Sequence, residues 1–181
     1  MAGALRDELF AVCSKERPDP LFRYLYRRRR GPGGRSATVI LFNPVHSGNI
    51  TDPTTGRCMT WLCSDGEFNE VTFVNLFARR DPTPAGLQQL ARSGADVVGP
   101  RNDHYLREAI DSADRVVVAW GAMPPRIHAT RAARVLGWIA DPYCFGYNAD
   151  HSPLHPNRRG LSTSVRAMPY QPLETVPLDH P

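Results

Sequence analysis

The residues able to do chemistry in this chain fall into four polar clusters, each set directly behind an apolar run. Asn43-Pro44-Val45-His46-Ser47-Gly48, with Asp52-Pro53-Thr54 close behind, follows the run at 37–42. Asn75-Leu76-Phe77-Ala78-Arg79-Arg80 closes the run at 71–76, and Trp120-Gly121-Ala122 closes the run at 115–120. A late segment, 150–160, holds His151, His155-Pro156 and Asn157-Arg158-Arg159. Amides and carboxylates orient water, imidazoles move protons, and a guanidinium forks two donors onto one phosphate. Neither GxGxxG nor GxxxxGK[ST] occurs, which argues against a dinucleotide site and a P-loop. Taken singly, the residues leave alternatives open. Asn43 and Asn75 also fit turn residues bonded to their own backbone, and Asp52 before Pro53 and Thr54 also fits a helix N-cap. His155 also fits a surface loop, and Phe77 and Trp120 also fit the core.

Bringing four clusters together requires strands that end on one side. The runs at 37–42, 71–76 (VTFVNL) and 115–120 (RVVVAW) are apolar on both faces and separated by helical stretches at 54–63, 85–92 and 102–113. That alternation predicts an α/β fold, three-layer αβα with a short central parallel sheet. Ligands of such sheets bind outside the carboxyl ends of the strands, so the clusters are expected to share one cleft. A further helix is expected over 126–136 and a short strand over 143–146. Phe22, Tyr24 and Tyr26 alternate with Arg23, Leu25 and Arg27 before GPGG at 31–34, which reads as a strand and a turn. Leu5, Leu9 and Val12 space a short opening helix over 4–15, ended by Pro18 and Pro20. The expected organisation is a single domain over 1–160 and an extended or disordered tail over 161–181, rich in Ser, Thr and Pro.

Of the 181 residues 41% are hydrophobic and 22% charged, and no apolar run approaches the ~18 residues of a membrane span. These numbers exclude an integral membrane protein and a wholly disordered one. The opening segment places acids within its apolar stretch and lacks a secretory pattern, so a cytoplasmic monomer without membrane association is expected. Cys13, Cys58, Cys63 and Cys144 form no CxxC pair, and neither a disulfide framework, a metal nor a cofactor is expected. The formal charge is +4, and every basic residue except Lys15 is arginine, which gives nucleic acid a modest lift. The run Arg27-Arg28-Arg29-Arg30 fits either a phosphate grip or a solvated face.

The order LFNPVHSG, VTFVNLFARRDPT, VVVAWGA and HPNRRG resembles the uracil-DNA glycosylase superfamily over residues 38–160. It is still more similar to a bacterial family known only as a domain of unknown function, marked by an Asn-Pro motif, a DPT triplet, a strand ending NLFA, a GPRND-like segment at 99–103 and WGA. The resemblance implies a glycosylase-like fold and a set of roles. Asn43 would position water, Asp52 is the nearest carboxylate to act as general base, and His155 would hydrogen-bond the leaving base. Asn75 would read the base edge, Phe42 or Phe77 would stack on it, and His46 belongs to the same base-binding motif. Arg57, Arg79, Arg80, Arg158 and Arg159 would hold DNA phosphates around a flipped nucleotide.

Two departures bear on specificity. The first motif lacks the Asp-Pro-Tyr whose aromatic screens out the thymine methyl, so a substituted pyrimidine would fit. Asn157-Arg158-Arg159-Gly160 replaces the small Ser-Pro-Ser loop and makes it more basic. The cysteine spacing does not match an iron–sulfur cluster. The implied activity is a monofunctional DNA glycosylase that removes a modified, even bulky phage-type, pyrimidine in antiviral defence or base-excision repair. Hydrolysis of free nucleotides or nucleosides, and a non-catalytic module that binds modified bases, are the alternatives.

Overall fold

The computed structural model describes residues 5–6, 19–45, 52–122, 127–162 and 164–172. Along the chain these form β1 (Leu5–Arg6), β2 (Tyr26–Arg30), β3 (Arg35–Leu41), α1 (Pro53–Cys63), β4 (Phe68–Asn75), α2 (Pro84–Arg92), α3 (Asn102–Asp111), β5 (Arg115–Val118), α4 (Ile127–Leu136), β6 (Pro142–Cys144) and β7 (Met168–Pro169). Six strands and the two-residue β1 make one sheet in the order β1-β2-β4-β3-β5-β6-β7. The α/β expectation holds, with a parallel centre: β4, β3, β5 and β6 run parallel, while β2, β1 and β7 pair antiparallel at the edges.

Alternation along the strands sorts their apolar residues onto two faces. Ala37, Val39 and Leu41 of β3 join Val71 and Phe73 of β4 under α1, which contributes Cys58, Met59, Trp61 and Leu62. Ile40, Val74, Val116 and Val118 face the other way, onto Leu87 of α2, Leu106 and Ile110 of α3, and Val135 of α4. Strands buried on both faces need helices on both sides, and the chain supplies one helix to one face and three to the other. It passes from β3 through α1 to β4 on one flank, then through α2 and α3 to β5 on the opposite flank. The ends of β3 and β5 therefore form the switch point at which such sheets open a crevice.

Three sequence expectations change. The strand before the GPGG turn starts at Tyr26, not Phe22, and Phe22 makes only an isolated bridge to Arg79. The basic run 27–30 is that strand, and its charges are used internally. Arg27 and Arg29 both pair with Glu70, Arg28 donates to Thr55, and Arg30 donates to the Cys63 carbonyl. It is thus a strand with paired charges, of which Arg29, its side chain 46% exposed, still forms a solvated face. Of the expected opening helix, Leu5–Arg6 pairs with Arg29 and Arg30 as a strand, because the edge of β2 offers free ladder groups; the rest lies outside the described residues. Beyond Gly160 the chain returns to the sheet, where β7 pairs with β6 and Tyr170 is buried against Tyr147. Among the described residues no helix is long and apolar enough to cross a membrane.

Candidate active site

A cavity of about 350 Å³ opens at the switch point. Leu41, Phe42 and Asn43 enter it from the end of β3, and Trp120, Gly121 and Ala122 from the end of β5. Asp52 and Thr54 border it from the start of α1, Pro82 and Pro84 from the start of α2, and His155 and Asn157 from the late loop. Three of the four polar clusters thus meet, as the strand-end rule requires.

Asn43 is locked by its own amide. Its Nδ2 donates to the Asp81 carbonyl at 2.8 Å and the Pro44 carbonyl at 3.3 Å, an arrangement that fixes the flip of the side chain and reserves Oδ1 as its acceptor. Asp52 is a helix cap and also borders the cavity. Its Oδ1 accepts the Thr54 amide at 3.0 Å and caps α1 with Pro53 at the first helical position, while the carboxylate also lines the cavity. One oxygen suffices for a cap, which leaves Oδ2 for a proton.

His155 is delivered by a loop anchored at three points. Gly121, at φ +88, lets the loop approach the end of β5, since a Cβ there would lie 3.0 Å from the His155 Cβ. Asn157 Nδ2 donates to Thr54 Oγ1 at 2.6 Å, and Arg57 donates to the Pro156 carbonyl at 2.8 Å, tying both sides of the loop to α1. His155 Nδ1 accepts the Asn157 amide at 3.1 Å, so the neutral ring carries its proton on Nε2. Burial pushes the imidazole below its ordinary pKa, with the Asp52 charge opposing. The loop therefore presents a neutral N–H donor to the cavity.

Phe42, only 6% exposed, offers an aromatic wall backed by Phe77 and by His128, whose rings meet it edge-on at 5.4 and 4.9 Å. Of the two expected stacking residues, Phe42 lines the cavity and Phe77 is its support. Asn75 does not line the cavity: at 2% exposure it lies under the floor, level with Leu41 on the α1 face, and its Oδ1 is buried without a partner. The backbone around Asn75 is held just as firmly. Asn102, from the GPRND-like segment, donates Nδ2 to the Asn75 and Leu76 carbonyls at 3.1 and 3.0 Å, and Arg131 Nε adds 2.8 Å to Leu76. That segment is scaffold, securing the end of β4. His46 lies outside the described residues.

The arginines divide. Arg57 clamps the His155 loop as described, Arg79 lies over the Phe22 ring, and Arg158 donates to Asn148, so these three have structural work. Arg159 is exposed on the late loop. Arg80 is half-buried with its Nε unpartnered. Sequence reasoning missed Arg23, which lines the cavity from the segment before β2, and Asn157 as a loop anchor. An aromatic-basic alternation gives no hint of which side of the sheet faces a cavity, so Arg23 carried no signal.

The model of a family described as "Protein of unknown function (DUF1643)" matches residues 23–157. That stretch encloses every cavity residue named above, from Arg23 to Asn157. No curated protein and no solved structure matches the chain.

Proposed function

Since the chain belongs to the DUF1643 family, whose description names no activity, we propose a function from the site itself: a monofunctional DNA glycosylase that hydrolyses the bond between a modified pyrimidine and deoxyribose. The observation that carries this reading is one cavity lined by an amide acceptor, a carboxylate and a neutral imidazole with its N–H free, beside an aromatic wall. Cleavage of an N-glycosidic bond passes through an oxocarbenium-like sugar. It needs an oriented water on one side and a donor to the departing base on the other.

In this reading Asn43 Oδ1 holds the water and Asp52 takes its proton as the water oxygen bonds to C1′. The C1′–N1 bond breaks, its electron pair stays with the base, and His155 Nε2–H donates to the base oxygen on which that charge collects. A neutral donor suits the task, because it stabilises the anion without surrendering a proton to solvent first. Phe42 supplies the stacking face. The cavity lies within the range of small-ligand sites and takes one nucleotide, so the base must leave the duplex to reach it. Val45, 43% exposed at the rim where an aromatic screen would stand, leaves room for an enlarged base. A substituted base of the kind phage genomes carry makes the activity a defence; a damaged host base makes it repair.

The test is mass spectrometry of bases released when the purified chain is incubated with genomic DNAs, including phage DNAs with substituted pyrimidines, beside an Asn43→Ala control. Release of one free base by the wild type and not by the control is the expected result. DNA binding without release would replace the enzyme by a modified-base reader. Cleavage of free nucleotides with no salt-dependent DNA affinity would move the reaction off the duplex.

A further inference from the structure

Among the described residues three pairs of arginines each share one acid. Arg27 and Arg29 share Glu70, Arg35 and Arg115 share Glu67, and Arg131 and Arg134 share Asp103. A fourth pair has no such partner. Arg23 lines the cavity and Arg80 stands near enough to lower its pKa further than burial alone does. Neither side chain makes a hydrogen bond or ion pair with a described residue, and both Nε atoms are buried and unpartnered. The Arg23 guanidinium lies 5.9 Å from the centre of the Tyr26 ring. Asp52 is the carboxylate whose field reaches Arg23, yet the two do not close into an ion pair.

Two like charges in partly buried surroundings, with donors left over, are costly unless an anion completes them. The surroundings add to the positive potential, because Thr54 and Pro84, in the first turns of α1 and α2, border the same cavity. The geometry points to an oxyanion site inside the cavity, in which Arg23, supported by Arg80, binds a phosphate or carboxylate group of the substrate. This rests on the glycosylase reading only for the identity of the substrate as a nucleotide. It narrows the substrate to one that brings an acid into the pocket itself, either the 5′-phosphate of the extruded nucleotide or an acidic substituent on its base. Phosphates gripped along the outer loop would not satisfy Arg23.

The experiment is calorimetric titration of the full chain with inorganic phosphate, deoxycytidine, deoxycytidine 5′-monophosphate and 5-carboxydeoxycytidine, on wild type, Arg23→Gln and Arg23→Lys. Phosphate should bind, and at least one acidic nucleoside should bind more tightly than deoxycytidine by roughly tenfold to a hundredfold. Arg23→Gln should erase that preference, and Arg23→Lys should retain part of it, keeping the charge without the fork. Preference for the monophosphate assigns the site to the backbone, and preference for the carboxylated base assigns it to the base. Equal binding of acidic and neutral nucleosides by the wild type, or a preference that survives Arg23→Gln, overturns the inference. Should Arg23→Gln fail to fold, Arg80→Gln and the phosphate-induced rise in wild-type Tm decide, and no rise overturns it. Oxyanion binding without base release would leave this site standing and remove the glycosylase. Undiminished base release by Arg23→Gln would do the reverse.

Discussion

Asp52-Pro53-Thr54 and Asp81-Pro82-Thr83 are the same triplet, and each opens a helix at the rim of the cavity. Their local geometry is nearly identical: the aspartate Oδ1 accepts the threonine amide at 3.0 Å in the first and 2.9 Å in the second. They differ in frame. In α1 the aspartate is itself the N-cap, whereas in α2 the cap is Thr83, two residues on, whose hydroxyl accepts the Gly86 amide. The shift sends the side chains to different ends. Asp52 faces the cavity and Thr54 Oγ1 holds Asn157 of the His155 loop, while Asp81 turns away to accept the Thr83 amide and hydroxyl. A triplet whose aspartate and threonine line the cavity in one frame is only a helix start in the other. What separates them is which residue of the triplet caps the helix, not the residues themselves.

The sharpest way to break this contrast is to neutralise each aspartate while keeping its bond to the threonine amide, since asparagine accepts there as well as aspartate. Asp52→Asn should lower kcat for base release roughly 10²- to 10⁴-fold, the usual worth of a general base. Asp81→Asn should keep kcat within about twofold, as for substitutions outside a network. Both should melt near the wild-type temperature. Equal losses in single-turnover base release would mean that Asp52 is a cap and nothing more.

The opposite wall of the cavity gives the next largest effect. Gly121→Ala places a Cβ at φ +88, in a region that L side chains avoid, and within 3.0 Å of the His155 Cβ. The His155 loop must give by a few tenths of an ångström, and since a displacement near 1 Å costs on the order of 10²-fold in rate, a loss of about tenfold in kcat is expected. Substrate affinity should change far less than kcat, because the aromatic wall at Phe42 is untouched. A loss in KM with kcat preserved would place His155 outside the chemistry.

The legibility of the sequence follows the same logic of position. Runs apolar on both faces announce β3, β4 and β5, and the strand-end rule by itself directs Asn43, Gly121 and, through its loop, His155 to one cavity. It fails where a side chain's role depends on which face is covered. Asn75 is the last residue of a central strand, buried and level with Leu41 on the α1 face, whereas Asn43 lies two residues beyond the end of β3 and lines the cavity. Arg57 is a DNA-phosphate ligand only in what the resemblance implies. Only the fold shows the Pro156 carbonyl, ninety-nine residues away, waiting for it. The arginine run is conspicuous in the same manner, yet Glu70 takes two of its four side chains, while the solitary Arg23 keeps a buried, unpartnered Nε beside the cavity.

The threonines sharpen the contrast on a smaller scale. Thr83→Val removes a helix cap and should cost about 1 kcal/mol, a fall of roughly 2–4 °C in Tm for a chain of this size, with base release unchanged. Thr54→Val removes the acceptor of Asn157 Nδ2 and loosens the loop that carries His155. Its effect should appear in kcat, about tenfold for one lost hydrogen bond at a positioning residue, and restoring the hydroxyl with Thr54→Ser should recover most of the rate. If the two valine variants exchange their phenotypes, the frame of the triplet is not what separates their roles.

The smallest effect is a shift in titration. His155 is held below its ordinary pKa by burial, and the Asp52 charge acts against that lowering. Burial alone lowers His128 as well. A folded histidine with a depressed pKa binds fewer protons than its unfolded counterpart in the window between the two values. Stability is therefore full above the unfolded pKa of about 6.5 and falls as the pH drops below it. Removing the opposing charge widens the window, so Asp52→Asn should move the His155 imidazole resonance to a lower midpoint while leaving that of His128 in place. Asp81→Asn should move neither. An upward shift of His155 in Asp52→Asn, or none, would mean that the Asp52 charge does not act on the imidazole across the cavity, and the pairing of the two groups in one reaction would have to be abandoned.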